Sequence, residues 1–134
     1  MNLDPDGFKL SKSQILGEDY YTLKFFRKQI GKCIIIKTRN PNEVLLKYIE
    51  IIPKFRKMGL SQYLWNYTER DLISKEITKV TLAAEERGDG YNKLVKLYQS
   101  WGFIRIDDKE KYVYRGEECV RQVRMQKELI QKDH

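Results

Sequence analysis

Histidine is almost missing from this chain: the single one, His134, is the last residue. Its terminal position argues against a catalytic histidine or a Ser-His-Asp triad. Cysteine is nearly as scarce. Cys33 and Cys119 lie in apolar, strand-like contexts, "GKCIIIK" and "ECVRQVRM", with no CxxC or Cys/His grouping. Both are therefore expected to be buried structural thiols, and neither a metal site nor a disulfide is expected. No apolar run approaches the ~20 residues needed to cross a bilayer. The first twenty residues lack a basic, then apolar, then small-residue pattern, so the expectation is a cytoplasmic protein with no membrane attachment. Neither GK[ST] after a glycine loop nor GxGxxG occurs, which removes the common nucleotide fingerprints.

The 134 residues fit one domain, 1–134, with room for a real core. Hydrophobic residues make up 41% and charged residues 34%, an ordinary globular balance. The formal net charge is +7. Such a surplus attracts nucleic acids, acidic membranes and small polyanions alike, and its spread along the chain makes part of it solvated surface.

The coarse pattern alternates. "FKLSKSQI" reads as a short edge strand. "DYYTLKFFRK" and "CIIIKT" read as a hairpin turning at "QIGK". After the turn "RNPNE", "VLLKYIEII" is a strand with almost no polar alternation, as expected if both its faces are covered. From Gly59 the period changes: Leu60, Tyr63, Leu64 and Tyr67 share one helical face, and the helix is expected to reach about Lys75. "KVTLAA" is a further strand and "EERGDG" a loop. Tyr91, Leu94, Val95, Tyr98 and Trp101 mark a second amphipathic helix, which Gly102 caps. "FIRI", "YVYRG" and "ECVRQVRMQKEL" are extended. The fold class expected is α/β (α+β), with a mixed, mostly antiparallel central sheet flanked by helices.

The stretch "PKFRKMGLSQ" carries the first functional signal. It contains no acidic residue from Pro53 to Gln62, and it leads from a strand into a helix. An ordinary tight turn with solvated lysines would account for Gly59 alone. An anion site accounts for more: unpaired amides and partial positive charge at a helix start, a glycine that lets backbone approach the ligand, and Arg56 as a fork of donors.

A second segment, "KLVKLYQSWGF", ends the next helix about forty residues later. Together the two resemble the GNAT superfamily of acyl-CoA-dependent N-acetyltransferases. In that family a strand ending in proline is followed by Arg-x-x-Gly-x-Gly/Ala at a helix start; here those positions are Pro53, Arg56, Gly59 and Ser61. The family's Tyr and Gly-Phe match Tyr98, Gly102 and Phe103, and "VRMQKEL" resembles its last strand. The resemblance covers residues 19 to 130. It implies splayed central strands, acetyl-CoA as co-substrate, and its pyrophosphate on the amides of Met58, Gly59, Leu60, Ser61 and Gln62, flanked by Arg56 and Lys57. Its pantetheine arm would lie along Ile51 and Ile52.

Two departures stand out. Ser61 replaces the family's smallest residue. Only about eighteen residues precede "DYYTL", too few for the two helices that normally wall the acceptor site. An open acceptor groove is therefore expected, completed by a partner or suited to a chain end or protein surface.

Acetyl transfer to an amine needs a proton acceptor, since an alkyl ammonium has a pKa of ~10.4. Glu50, on the strand before the turn, is the candidate base; a structural ion pair with Lys47 or Arg56 is the plainer reading, and Glu85 and Glu86 are further carboxylates nearby. Tyr98 is the candidate acid for the leaving thiolate by its match to the family's tyrosine, although a tyrosine on an apolar stripe also serves as plain core. The expected function is an N-acetyltransferase acting on a primary amine of a small molecule, peptide or protein, as monomer or homodimer. The alternatives are a non-catalytic acyl-CoA-binding relative and, lower, a basic nucleic-acid-binding module, for which no recognition motif is present.

Overall fold

The computed structural model describes residues 7–88 and 92–129. The strands are β1 (Phe8–Ile15), β2 (Glu18–Phe25), β3 (Lys28–Lys37), β4 (Glu43–Ile51), β5 (Lys79–Glu86), β6 (Ile104–Arg105), β7 (Lys111–Arg115) and β8 (Glu118–Glu128). The helices are α1 (Leu60–Ser74), between β4 and β5, and α2 (Lys93–Ser100), between β5 and β6. All eight strands join one sheet, in the order β1-β2-β3-β4-β5-β8-β6, with β7 also pairing β8. Only β4 and β5 run parallel; the other pairs are antiparallel. That is the mixed, mostly antiparallel sheet the sequence pattern implies.

β1 passes directly into β2 through a turn at Leu16 and Gly17, with no helix between them. The β2–β3 turn differs from expectation. It lies at Phe26 and Arg27, and "QIGK" belongs to β3. Gly31 is small for packing, not for turning: a Cβ there would stand 2.5 Å from Cδ1 of Ile51. β4 also differs, since Lys47 and Glu50 are exposed and only one face is thoroughly buried. A register shift between Ile34 and Ile35 leaves Lys47 without a partner in β3.

The buried face is continuous. Tyr21, Leu23, Cys33, Ile35, Val44, Leu46, Val80, Leu82, Ala84, Val123 and Met125 form one core cluster with Leu64, Trp65 and Leu72 of α1 and Val95 and Tyr98 of α2. Trp65 stacks on Trp101 at 5.9 Å between ring centroids, tying the two helices together. Both helices therefore share this face. On the opposite face Ala83 and Arg124 are exposed and Thr81, Glu85 and Gln122 half-buried. No helix covers that face among the described residues. Cys33 is buried as expected, but Cys119 is exposed, because it lies beside the β7–β8 turn, where no described residue packs over the hairpin.

Candidate active site

β4 and β5 are paired at Glu43–Lys79, Val44–Val80 and Leu45–Thr81 and no further. Each strand continues past these pairs, so the two part, and the β5-side backbone edge of β4 from Tyr48 to Ile51 faces a gap. A cleft of about 840 Å³ lies over it. Its walls come from the end of β4, the turn and start of α1, Arg87 beyond β5, and Leu94, Leu97, Ser100 and Trp101 at α2.

One end of the cleft is the start of α1. The first intrahelical bond is from Tyr63 N–H to the Gly59 carbonyl, 3.1 Å, so the amides of Leu60, Ser61 and Gln62 point out of the helix without an intrahelical acceptor. No side chain caps them and no acidic residue stands in the first turn. Gly59 has φ +75°, a left-handed conformation that glycine adopts at little cost, and a Cβ there would meet nothing within 4 Å. The glycine thus answers to backbone conformation and an open approach, not to internal packing. Arg56 turns back: its Nε donates to the Ile51 carbonyl at 2.8 Å and ties the turn to the end of β4.

Of the nine residues expected to hold the cofactor, Ile51, Arg56, Lys57, Gly59, Leu60, Ser61 and Gln62 line this cleft. Ile52 and Met58 do not. The Ile52 amide donates to the Ile30 carbonyl at 2.8 Å, and Met58 projects into solvent.

Glu50 lines the cleft and is exposed. The ion pairs considered for it from sequence are absent among the described residues: Lys47 reaches Glu18 at 3.9 Å, and Arg56 serves the Ile51 carbonyl. Tyr98 is 5% exposed, packed against Trp101 and Phe103 with ring centroids 5.5 and 5.7 Å away. It sits on the core side of α2, behind the cleft-lining Leu94 and Leu97. Burial, and secondarily the Cys33 thiol, push its hydroxyl above the usual phenol range. The two other carboxylates are committed. Glu85 takes Arg115 at 2.5 Å and Gln122 at 2.9 Å. Glu86 takes Arg121 and the amides of Leu94 and Val95 at 2.9 and 3.1 Å.

Sequence reasoning missed Tyr48, Arg87 and Ser100 as lining residues. Tyr48 alternates with Ile49 and Ile51 along β4, and reaches the cleft because β5 has moved away from that strand. Nothing local announces this.

No protein-family model matches the sequence, and no curated protein does. Solved structures do. A GNAT family acetyltransferase from Elizabethkingia anophelis with acetyl-CoA bound has TM-score 0.72 and 16% identity, over 92% of this chain and 99% of that one. The ribosomal-protein-alanine N-acetyltransferase from Escherichia coli has TM-score 0.73 and 18% identity, over 90% and 74%. An aminoglycoside 6'-N-acetyltransferase complexed with coenzyme A has TM-score 0.72 and 13% identity, over 89% and 77%. The chain has the GNAT acetyltransferase fold.

Proposed function

We propose that this protein transfers an acetyl group from acetyl-CoA to a primary amine by direct attack of the amine on the thioester. One observation carries the reading: the parting of β4 from β5 over a cleft that ends at the uncapped, acid-free start of α1. That combination suits a polyanion with a peptide-like arm. The amides of Leu60, Ser61 and Gln62 would hold a pyrophosphate, with Lys57 beside them. The unpaired edge of β4 offers backbone groups to the pantetheine amides.

Acetyl-CoA, when bound, supplies the activated acetyl group. The chain supplies the rest. Glu50, exposed at the cleft and without an ion pair among the described residues, is the proton acceptor for the amine. Tyr98, kept protonated by burial, is assigned as a hydrogen-bond donor to the departing thiolate, a role that requires the thioester sulfur to reach its hydroxyl past Leu94 and Leu97. A second reading, an acyl-CoA-binding protein without transferase activity, is favoured by the uncovered sheet face, where an acceptor wall would stand.

Melting with and without acetyl-CoA, followed by CoA release against a panel of amines, separates the readings. Stabilisation by acetyl-CoA with amine-dependent release supports the transferase. Stabilisation with no release for any amine supports the second reading, and no stabilisation rejects both.

A further inference from the structure

A second cavity, of about 530 Å³, lies at the other end of α1 from the cleft. Leu72 and Lys75 of the helix end and Ile77 beyond it form one side. The sheet forms the other. Register places Gln14 of β1, Asp19 of β2 and Ile35 of β3 side by side on the helix-facing side, and Lys37 of β3 opposite Val44 of β4. Val44, Leu72 and Ile77 are buried, while Lys37, Arg39 and Pro41 are exposed at the rim. Val44 precedes Ile51 by seven positions of β4, so the cavity lies about 23 Å along that strand from the cleft.

Asp19 is out of character with its surroundings. It stands on the helix-facing side, where Tyr21, Leu23 and Ile35 belong to the core, and its side chain is 10% exposed. Its Oδ1 accepts from the Gln14 side-chain amide at 3.1 Å. Its Oδ2 has the Lys75 ammonium at 3.6 Å, too far for a hydrogen bond, and that ammonium lies nearer Asp71, at 3.2 Å. Burying a carboxylate is costly unless its lone pairs are met, so Oδ2 is short of a donor. Lys37 is the diagonal neighbour of Asp19 across β2 and β3, a separation of ~7–8 Å in such pairs. A carboxylate with a structural role alone would draw that cation onto itself. Instead Lys37 and Arg39 have no ion pair or side-chain hydrogen bond among the described residues.

We propose that this cavity is a second binding site, for a free α-amino acid with an apolar side chain. The ligand's ammonium donates to Oδ2 of Asp19 beside the last turn of α1, where the partial negative charge of a helix end favours a cation. Its carboxylate meets Lys37 and the guanidinium fork of Arg39. Its side chain lies against Val44, Leu72 and Ile77, the apolar part that a small-molecule pocket needs beside a few placed polar groups. Opposite charges on one small molecule fill the gap between diagonal neighbours that do not pair with each other. No residue of the cofactor cleft takes part, so the site stands independently of the transferase reading.

Calorimetric titration of the full chain with three probes tests this: L-leucine, 3-methylbutylamine, which lacks the carboxylate, and 4-methylpentanoate, which lacks the ammonium. L-Leucine should bind at least about tenfold more tightly than either comparator. The double variant Lys37→Met, Arg39→Met keeps apolar stems on an exposed rim, and it should raise the Kd for leucine about tenfold. Asp19→Asn, with its fold checked by circular dichroism, should abolish leucine binding. The Kd for acetyl-CoA should be the same in all these proteins. Absence of leucine binding overturns the proposal and leaves the transferase reading standing. So does an amine or acid that binds as well as leucine, or an unaltered leucine Kd in the double variant.

Discussion

Glu86 and Arg121 face each other across β5 and β8, 3% and 7% exposed, and Glu86 directs its second oxygen to the first amides of α2. A single carboxylate thus joins two strands to the helix that forms one wall of the cleft. Burial disfavours its charge, but the Arg121 guanidinium and the backbone amides outweigh burial and hold its pKa below the usual carboxylate value. A lowered folded pKa means stability that is present above the unfolded value and lost as pH falls through the folded one. Glu86→Gln should therefore cost about 1–3 kcal/mol at pH 7, because Arg121 loses its nearest counter-charge and keeps only Glu110 at 3.4 Å and the Asn92 side-chain oxygen at 2.7 Å. The difference from wild type should shrink as pH drops below about 4.3. Urea unfolding at several pH values measures both; a pH-independent difference would refute the linkage.

Gly59 separates conformation from ligand contact. With φ at +75°, Gly59→Ala should destabilise by about 1 kcal/mol, whereas Gly59→Asn, which tolerates the left-handed region, should cost less. Both add a Cβ to the open approach before the α1 amides. Calorimetric titration with CoA should show weakened binding in both variants, whatever their melting points.

The phenol of Tyr98 should matter to turnover and not to cofactor affinity. Tyr98→Phe preserves the ring packed against Trp101 and Phe103, and it is expected to lower kcat by about 100-fold with the Kd for CoA unchanged. Because burial raises the hydroxyl pKa, no limb of the wild-type pH–rate profile below about pH 10 should belong to this residue. Equal kcat in the two proteins would assign Tyr98 to the core alone.

Glu50→Gln keeps the size of the side chain but cannot accept the amine's proton, so kcat should fall by about 100-fold with the Kd for CoA unchanged. Equal kcat in the two proteins would assign the base to a different group.

The two thiols should differ in reactivity. Cys33 is buried, and burial pushes its pKa up to about 12, while Cys119 is exposed. A thiol-reactive disulfide reagent should titrate Cys119 in the native protein and both thiols after unfolding in urea.

The sequence by itself determined most elements and the start of the site. Helical spacing from Leu60 onward gave α1, and the i, i+4 apolar pattern gave α2 from Leu94, both local properties of side-chain order. The acid-free run from Pro53 to Gln62 marked the end of the cleft where α1 begins, because composition and helix start lie in one segment. Three matters escaped local reading. The β2–β3 turn moved to Phe26 and Arg27, since Gly31 is needed where Ile51 crowds the backbone of a strand twenty residues away in sequence. Cys119 looked like Cys33 in its neighbours, but β7 and β8 leave it on an uncovered hairpin. Tyr98 matched a motif, and only packing showed it behind the cleft wall. Which face of the sheet receives both helices, where β4 leaves β5, and what stands bare on the far side are consequences of pairing between distant segments. Strand alternation says that two faces exist; only the assembled sheet decides which one is covered.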